Sequence, residues 1–177
     1  MAAKNQKDIK QELDKKKQEG DAASKKALEL AKLAEKTKAV LEGMQGEATA
    51  EAAASMEEAA ANFQANVDAR YVQAEKEVEK IDKDLEKEQQ QFGQGVKADQ
   101  ADVQKLNNLK AEAQKAGVGI ENIAKAEKAK TDEMNFLNTE SQAVEKSQQE
   151  MQKNINEAKQ KRQSAQFSYK SKNTLGN

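Results

Sequence analysis

The chain has no cysteine, no proline, no tryptophan and no histidine. Each absence excludes something. Without cysteine there is no disulfide and no thiolate nucleophile. Without histidine, the usual general base and the commonest protein ligand of transition metals are both missing. Without proline, nothing forces a kink or a break into a helix. Aromatic residues make up only 3%, so base stacking and large aromatic cores are poorly supplied. The apolar share is 36%, below the roughly 45–50% of an ordinary globular domain, and much of it is alanine. No stretch approaches the roughly 18 apolar residues of a transmembrane helix. The first residues, MAAKNQKDIKQELDKKK, are basic but lack the apolar centre of a secretory signal. The expectation is a protein with no transmembrane segment, cytoplasmic or exported without a cleaved signal peptide.

Charge is plentiful and balanced. Thirty basic and 31 acidic residues give a formal net charge of −1, without the charge imbalance of a disordered chain. Alanine, glutamate, lysine and glutamine dominate, and these side chains lose little entropy in a helix. The charge is also unevenly placed. Residues 1–38 carry 11 lysines against 7 acids, and residues 153–177 carry 6 bases against 1 acid, so the stretch between is acidic. Basic ends and an acidic middle favour staggered, salt-sensitive contacts between molecules.

Glycine supplies the punctuation. The pairs Gly43/Gly46, Gly93/Gly95 and Gly117/Gly119 each join two poor helix formers. They divide the chain into expected helices over about 4–42, 49–92, 99–116 and 120–169. The fold class expected is all-α: an elongated antiparallel helical bundle or coiled coil of three to four helices, forming one domain over 1–177. Residues 1–20 and 170–177 are expected to be mobile.

Spacing by threes and fours defines the seams. The first helix reads Ile9, Leu13, Lys16, Gly20, Ala23, Ala27, Leu30, Ala34, Thr37, Leu41 and Met44, weakened at Lys16 and Gly20. The second is richer: Met56, Ala60, Phe63, Val67, Tyr71, Ala74, Val78, Ile81, Leu85, Glu88 and Phe92. Its two successive steps of four between Phe63 and Tyr71 resemble a stutter. The third carries Val103, Leu106, Leu109 and Ala113, with Asp99 as a candidate N-cap. The fourth holds Ile120, Ile123, Met134, Leu137, Val144, Met151 and Ile155, interrupted by Glu127, Lys130, Ser141, Gln148 and Arg162. Fifty helical residues would span about 75 Å. Pairs such as Glu12/Lys16, Glu79/Lys83, Glu121/Lys125 and Glu157/Lys161 stand four apart and support helix.

Sites of chemistry are scarce. Asp82, Asp84, Glu86 and Glu88 are spaced two apart, so on a helix they point to different faces, with lysines between them. Gly93-Gln94-Gly95 and Gly117-Val118-Gly119 follow no predicted strand and precede no Lys-Ser/Thr, so they are not phosphate loops. Lys15-Lys16-Lys17 is the densest basic run, but with two arginines, Arg70 and Arg162, and few aromatics it points to no specific nucleic acid. No cofactor, metal or small-molecule substrate is implied, and catalysis is not expected. The polar seam residues Lys16, Thr37, Glu88, Glu127, Lys130, Ser141, Gln148 and Arg162 either specify register and partner or lie at a solvated fringe.

These features read as a non-enzymatic coiled-coil scaffold, adaptor or assembly component, acting through a protein partner or self-association. In composition the chain resembles hydrophilic helical proteins exported by bacterial injection systems and internal proteins of phage particles. That likeness implies an exported component or an internal particle protein as the alternative. A second likeness is to desiccation-protective late-embryogenesis proteins, from which the ordered seams at Phe63, Ile81, Phe92 and Leu137 set it apart. No functional residue carries over from any of them.

Overall fold

In the computed structural model, residues 4–44, 47–166 and 173–175 are described. Among these residues the fold is all-α, with three helices: α1 over Gln6–Met44, α2 over Ala50–Lys115 and α3 over Glu121–Ser164. Two three-residue strands, β1 (Glu47–Thr49) and β2 (Asn173–Leu175), pair in parallel. No alternating pattern in the sequence announces that pair.

The helix ends have local causes. At the start of α1 the Asn5 side-chain oxygen accepts a hydrogen bond from the Asp8 amide at 2.8 Å. At the start of α2 the Thr49 hydroxyl accepts one from the Ala52 amide at 3.2 Å. Each satisfies a donor that the helix itself leaves unpaired. Helix α2 ends at Lys115 and is closed by Gly117, whose φ of 72° is open to glycine at no steric cost. There the Val118 amide donates to the Ala113 carbonyl and the Gly117 amide to the Gln114 carbonyl, the double closure of a Schellman motif. The end of α3 is held by the Lys38 ammonium, which donates to the Ser164 carbonyl at 2.6 Å. That places a cation on the negative end of the helix dipole. The expected continuation to Tyr169 lies outside the described residues. So does most of the 170–177 segment expected to be mobile.

Where four helices were expected there are three, because Gly93 and Gly95 do not break α2. A glycine inside a helix costs about 1 kcal/mol relative to alanine but leaves the hydrogen-bond ladder intact. Here the cost is offset by packing: a Cβ on Gly95 would come within 2.8 Å of the Leu137 side chain, so glycine lets α3 approach. Asp99 therefore caps nothing. It sits in mid-helix and is 2% exposed.

The chain divides into two compact units. The first comprises residues up to Lys17 together with Asp82–Gln148, and buries Leu13, Leu85, Phe92, Asp99, Leu137, Glu140 and Val144. Leu13 is only 1% exposed, although the seam around it is interrupted at Lys16. The second comprises Gln18–Ile81 and the chain from Gln149 onward. Its part of α1 presents Gly20, Ala23, Ser24, Ala27, Leu30 and Ala31, all buried and all small except Leu30. Across from them lie Val67, Tyr71, Ala74, Val78 and Ile81 of α2 and Met151, Ile155 and Ala158 of α3, buried as well. Gly20 marks a close approach, where a Cβ would collide with the Met151 sulfur and come within 3.1 Å of Ile81.

One seam residue needs correction. Phe63 is 41% exposed, not buried. The buried positions of α2 keep sevenfold spacing through Ala53, Ala60, Val67, Ala74 and Ile81, and through Tyr71, Val78, Leu85, Phe92 and Asp99. Counting back from Tyr71, the seam position is Gln64, which is half-buried. Phe63 is one residue away and so rotated by about 100° off the seam, and the chain contains no stutter there. Met56, Ile120, Ile123 and Met134 are half-buried.

The two glycine environments give different expectations. Nothing lies within 4 Å of a Cβ at Gly93, so Gly93→Ala should stabilise by about 0.5–1 kcal/mol through helix propensity alone. Gly20→Ala should lack that gain or cost up to about 1 kcal/mol, because the buried Met151 thioether and Ile81 must give way. Urea unfolding of the two variants measures both; a gain at Gly20 would refute the close approach.

Candidate interaction surface

The polar seam residues are built into cross-helix rungs. In the first unit the Lys16 ammonium of α1 meets the Glu88 carboxylate of α2 at 3.2 Å, both partly buried. Between α2 and α3, Gln148 donates to the Asp82 carbonyl and Gln89 to the Ser141 carbonyl, each at 3.4 Å. Further along, Lys130 reaches Asp99 at 3.4 Å and Asp102 at 3.1 Å, and Lys110 faces Glu127 at 3.9 Å. Lys16, Glu88, Glu127, Lys130 and Gln148 thus each engage another helix. Two lysines expected to pair within their own helix reach across instead: Lys16 to Glu88, and, in the second unit, Lys161 to Glu35 at 3.2 Å. Thr37 bonds only its own helix, at the Leu33 carbonyl.

Lys130 is drawn above its ordinary pKa chiefly by Asp102, then by Asp99. Loss of hydration, then the Asp99 carboxylate, raises Glu133. One oxygen of Asp99 is enclosed with no hydrogen-bond partner among the described residues.

The second unit holds a half-open cleft of about 480 Å³, lined by Ala34 and Thr37 of α1, Phe63, Val67 and Asp68 of α2, and Arg162 and Ala165 near the end of α3. The Arg162 guanidinium donates to Asp68 at 2.8 Å and lies 3.9 Å from the centre of the Tyr71 ring. That is cation–π contact, in which the ring face attracts the cation. Its charge is therefore already balanced. Tyr71 is fully buried, and its hydroxyl has no hydrogen-bond partner among the described residues. Burial pushes the phenol above its ordinary pKa.

Apolar exposure falls in two further places. On α1, Leu33, Val40 and Met44 form one exposed stripe at helical spacing. The more extensive region is the hairpin made by the end of α2 and the start of α3. From 100 to 136 no residue is buried. Leu109 is 49% and Val118 61% exposed, while Val103, Leu106, Ile120, Ile123, Met134 and Phe136 are half-buried. The cause is the length of α1. Counting back along antiparallel helices from the Lys16–Glu88 rung brings Gln6 level with about residue 98, since both helices rise equally per residue. Beyond that level α2 and α3 have only each other. Burial stops at the same place, at Asp99 on α2 and Leu137 on α3.

Comparison with protein-family models, curated proteins and solved structures finds no match.

Among the described residues no helix is long and apolar enough to cross a membrane, and no group of three or more acidic side chains is placed to hold a metal ion. The uncovered hairpin was not foreseen. Its signal was present in the sequence as the unequal lengths of the first seam and the later ones, but the false break at Gly93/Gly95 hid it.

The enclosed Tyr71 hydroxyl gives a test of the cleft. An unpaired buried hydroxyl costs about 1–3 kcal/mol. Tyr71→Phe, which keeps the ring beneath Arg162, should leave stability unchanged or raise it by up to about 1 kcal/mol, whereas Tyr71→Ala should cost about 3–5 kcal/mol. Denaturant unfolding reads both, and a clear loss on Tyr71→Phe would show that the hydroxyl is engaged.

Proposed function

We propose that this chain is a non-enzymatic helical interaction protein, a scaffold, adaptor or assembly component of coiled-coil type, and that it docks through the hairpin at 100–136. The observation that carries this reading is the unbroken absence of buried residues between Asp99 and Leu137, in a stretch whose apolar side chains keep seam spacing. A helical seam left open on one side supplies the groove of a helix-in-groove partner, read by anchors three and four residues apart. The rungs Lys110–Glu127 and Lys130–Asp102 tie the two arms of the hairpin together beside the seam and so support the same reading. The cleft at Phe63 is a weaker candidate, since its one cation is neutralised by Asp68.

The test is site-specific photo-crosslinking of the full chain in the cells that make it. A benzophenone side chain at Leu109 should give a discrete covalent adduct with one protein species, and the same probe at exposed Lys80 should give none. No adduct from Leu109, or the same smear from both positions, would overturn the proposal.

A further inference from the structure

We propose that Asp99 and Glu133 form a proton-operated latch at the root of the hairpin: sharing one proton they tie α2 to α3, and without it they push the two helices apart. The latch is a property of the fold itself and does not depend on what the hairpin docks.

The register of the two helices sets the pair face to face. Gly95 of α2 lies against Leu137 of α3, and Lys130 of α3 meets Asp102 of α2 at 3.1 Å. One turn on from Gly95 along α2 stands Asp99, and one turn back from Leu137 along antiparallel α3 stands Glu133. This rung therefore sets acid opposite acid, where its neighbours join apolar surface or opposite charges. Its two members differ in access. Asp99 is 2% exposed, whereas Glu133 is exposed and can exchange its proton with water. Asp99 is also the last buried residue of α2 before the open hairpin.

Charge at this rung does not balance. Lys130 is the cation at hand, and it is divided between Asp102 at 3.1 Å and Asp99 at 3.4 Å. From α1 the charged side chains nearest that level are Lys4, Lys7 and Asp8. The ion pairs of α1 in this unit run elsewhere, Lys4 to Glu12, Lys16 to Glu88 and Lys17 to Asp14. With Asp99, Asp102 and Glu133 all ionised, three negative charges face the one lysine, and a buried carboxylate short of partners is costly. A proton on Glu133 removes one of those charges and turns an acceptor into a donor. The enclosed Asp99 oxygen, which has no partner among the described residues, is the acceptor it fits. Two facing carboxyls that resist ionising together share a proton in this way. Loss of hydration, then the Asp99 carboxylate, holds the Glu133 carboxyl above its ordinary range. A carboxyl so raised binds its proton more tightly in the fold than in the unfolded chain. The latch therefore stabilises fully below the ordinary glutamate value, and its contribution is lost as pH rises through the raised one.

Carboxyl-carbon NMR of the full chain across mild acid reads the proton directly. Glu133 should titrate above the ordinary glutamate range, and Asp99→Asn should return it toward that range. Native-state amide exchange, expressed as protection factors at residues 96–99 and 133–137, reads the consequence. In the wild type, protection there should fall at least about threefold as pH rises through the Glu133 titration. Glu133→Gln carries a donor at every pH, so its protection should stay level over the same range. Asp132→Asn, an exposed neighbour outside the rung, should behave as the wild type. A Glu133 titration in the ordinary range, or one that Asp99→Asn leaves unmoved, would overturn the latch. So would protection that does not fall in the wild type, or that falls equally in Glu133→Gln.

Discussion

Coverage by α1 is the constraint on which the rest depends. With so few large apolar side chains, two helices alone cannot enclose a seam; a third wall is needed. In the first unit α1 supplies that wall from Gln6 onward, and the buried positions of α2 and α3 stop where it stops. In the second unit it supplies the wall with small residues. Gly20, Ala23, Ser24, Ala27 and Ala31 bury little area each, so their contribution is proximity. At Gly20 they let the Met151 and Ile81 side chains reach the α1 backbone surface, where dispersion contacts accumulate.

The polar rungs do a different task. Ion pairs as exposed as these contribute at most about 1 kcal/mol each and often nothing measurable, so they do not hold the helices together. Their value lies in discrimination. A seam rich in alanine has little shape to distinguish one register from another, and a slip of one heptad would exchange one small residue for a similar one. The same slip would part Lys16 from Glu88 and Arg162 from Asp68. Polar groups in a seam specify register at some cost in stability, and here they act on a seam that needs such specification.

Much of this was legible in the sequence. Helical composition, the absence of proline and the spacing of Val67, Tyr71, Val78, Ile81 and Leu85 point to long amphipathic helices, and the Gly117/Gly119 turn is where glycine chemistry puts it. The misreadings share one cause. Glycine has two uses in helices, ending them and letting a neighbour approach, and one sequence does not say which applies. Gly93 and Gly95 were read as a break, although Gly95 makes room for Leu137. Gly20 was read as a weakness, although it is a point of close approach. Phe63 was assigned to the seam through two successive steps of four, while heptad counting from Tyr71 gives the position to Gln64. The open hairpin could not be seen until these were set right, because it depends on α2 running unbroken past the end of α1.

Burial in the first unit is set by how far α1 reaches, which leaves 100–136 as an uncovered hairpin. Native-state amide hydrogen exchange, at a dilution where the chain is a single copy, tests this most directly. Amides of 85–99 and 137–148 should be the slow class of that unit. Those of 100–136 should exchange well ahead of them, through local opening of two helices that enclose nothing. If the hairpin amides prove as slow as those beside α1, coverage by α1 is not what stabilises the unit, and the account of the docking surface falls with it.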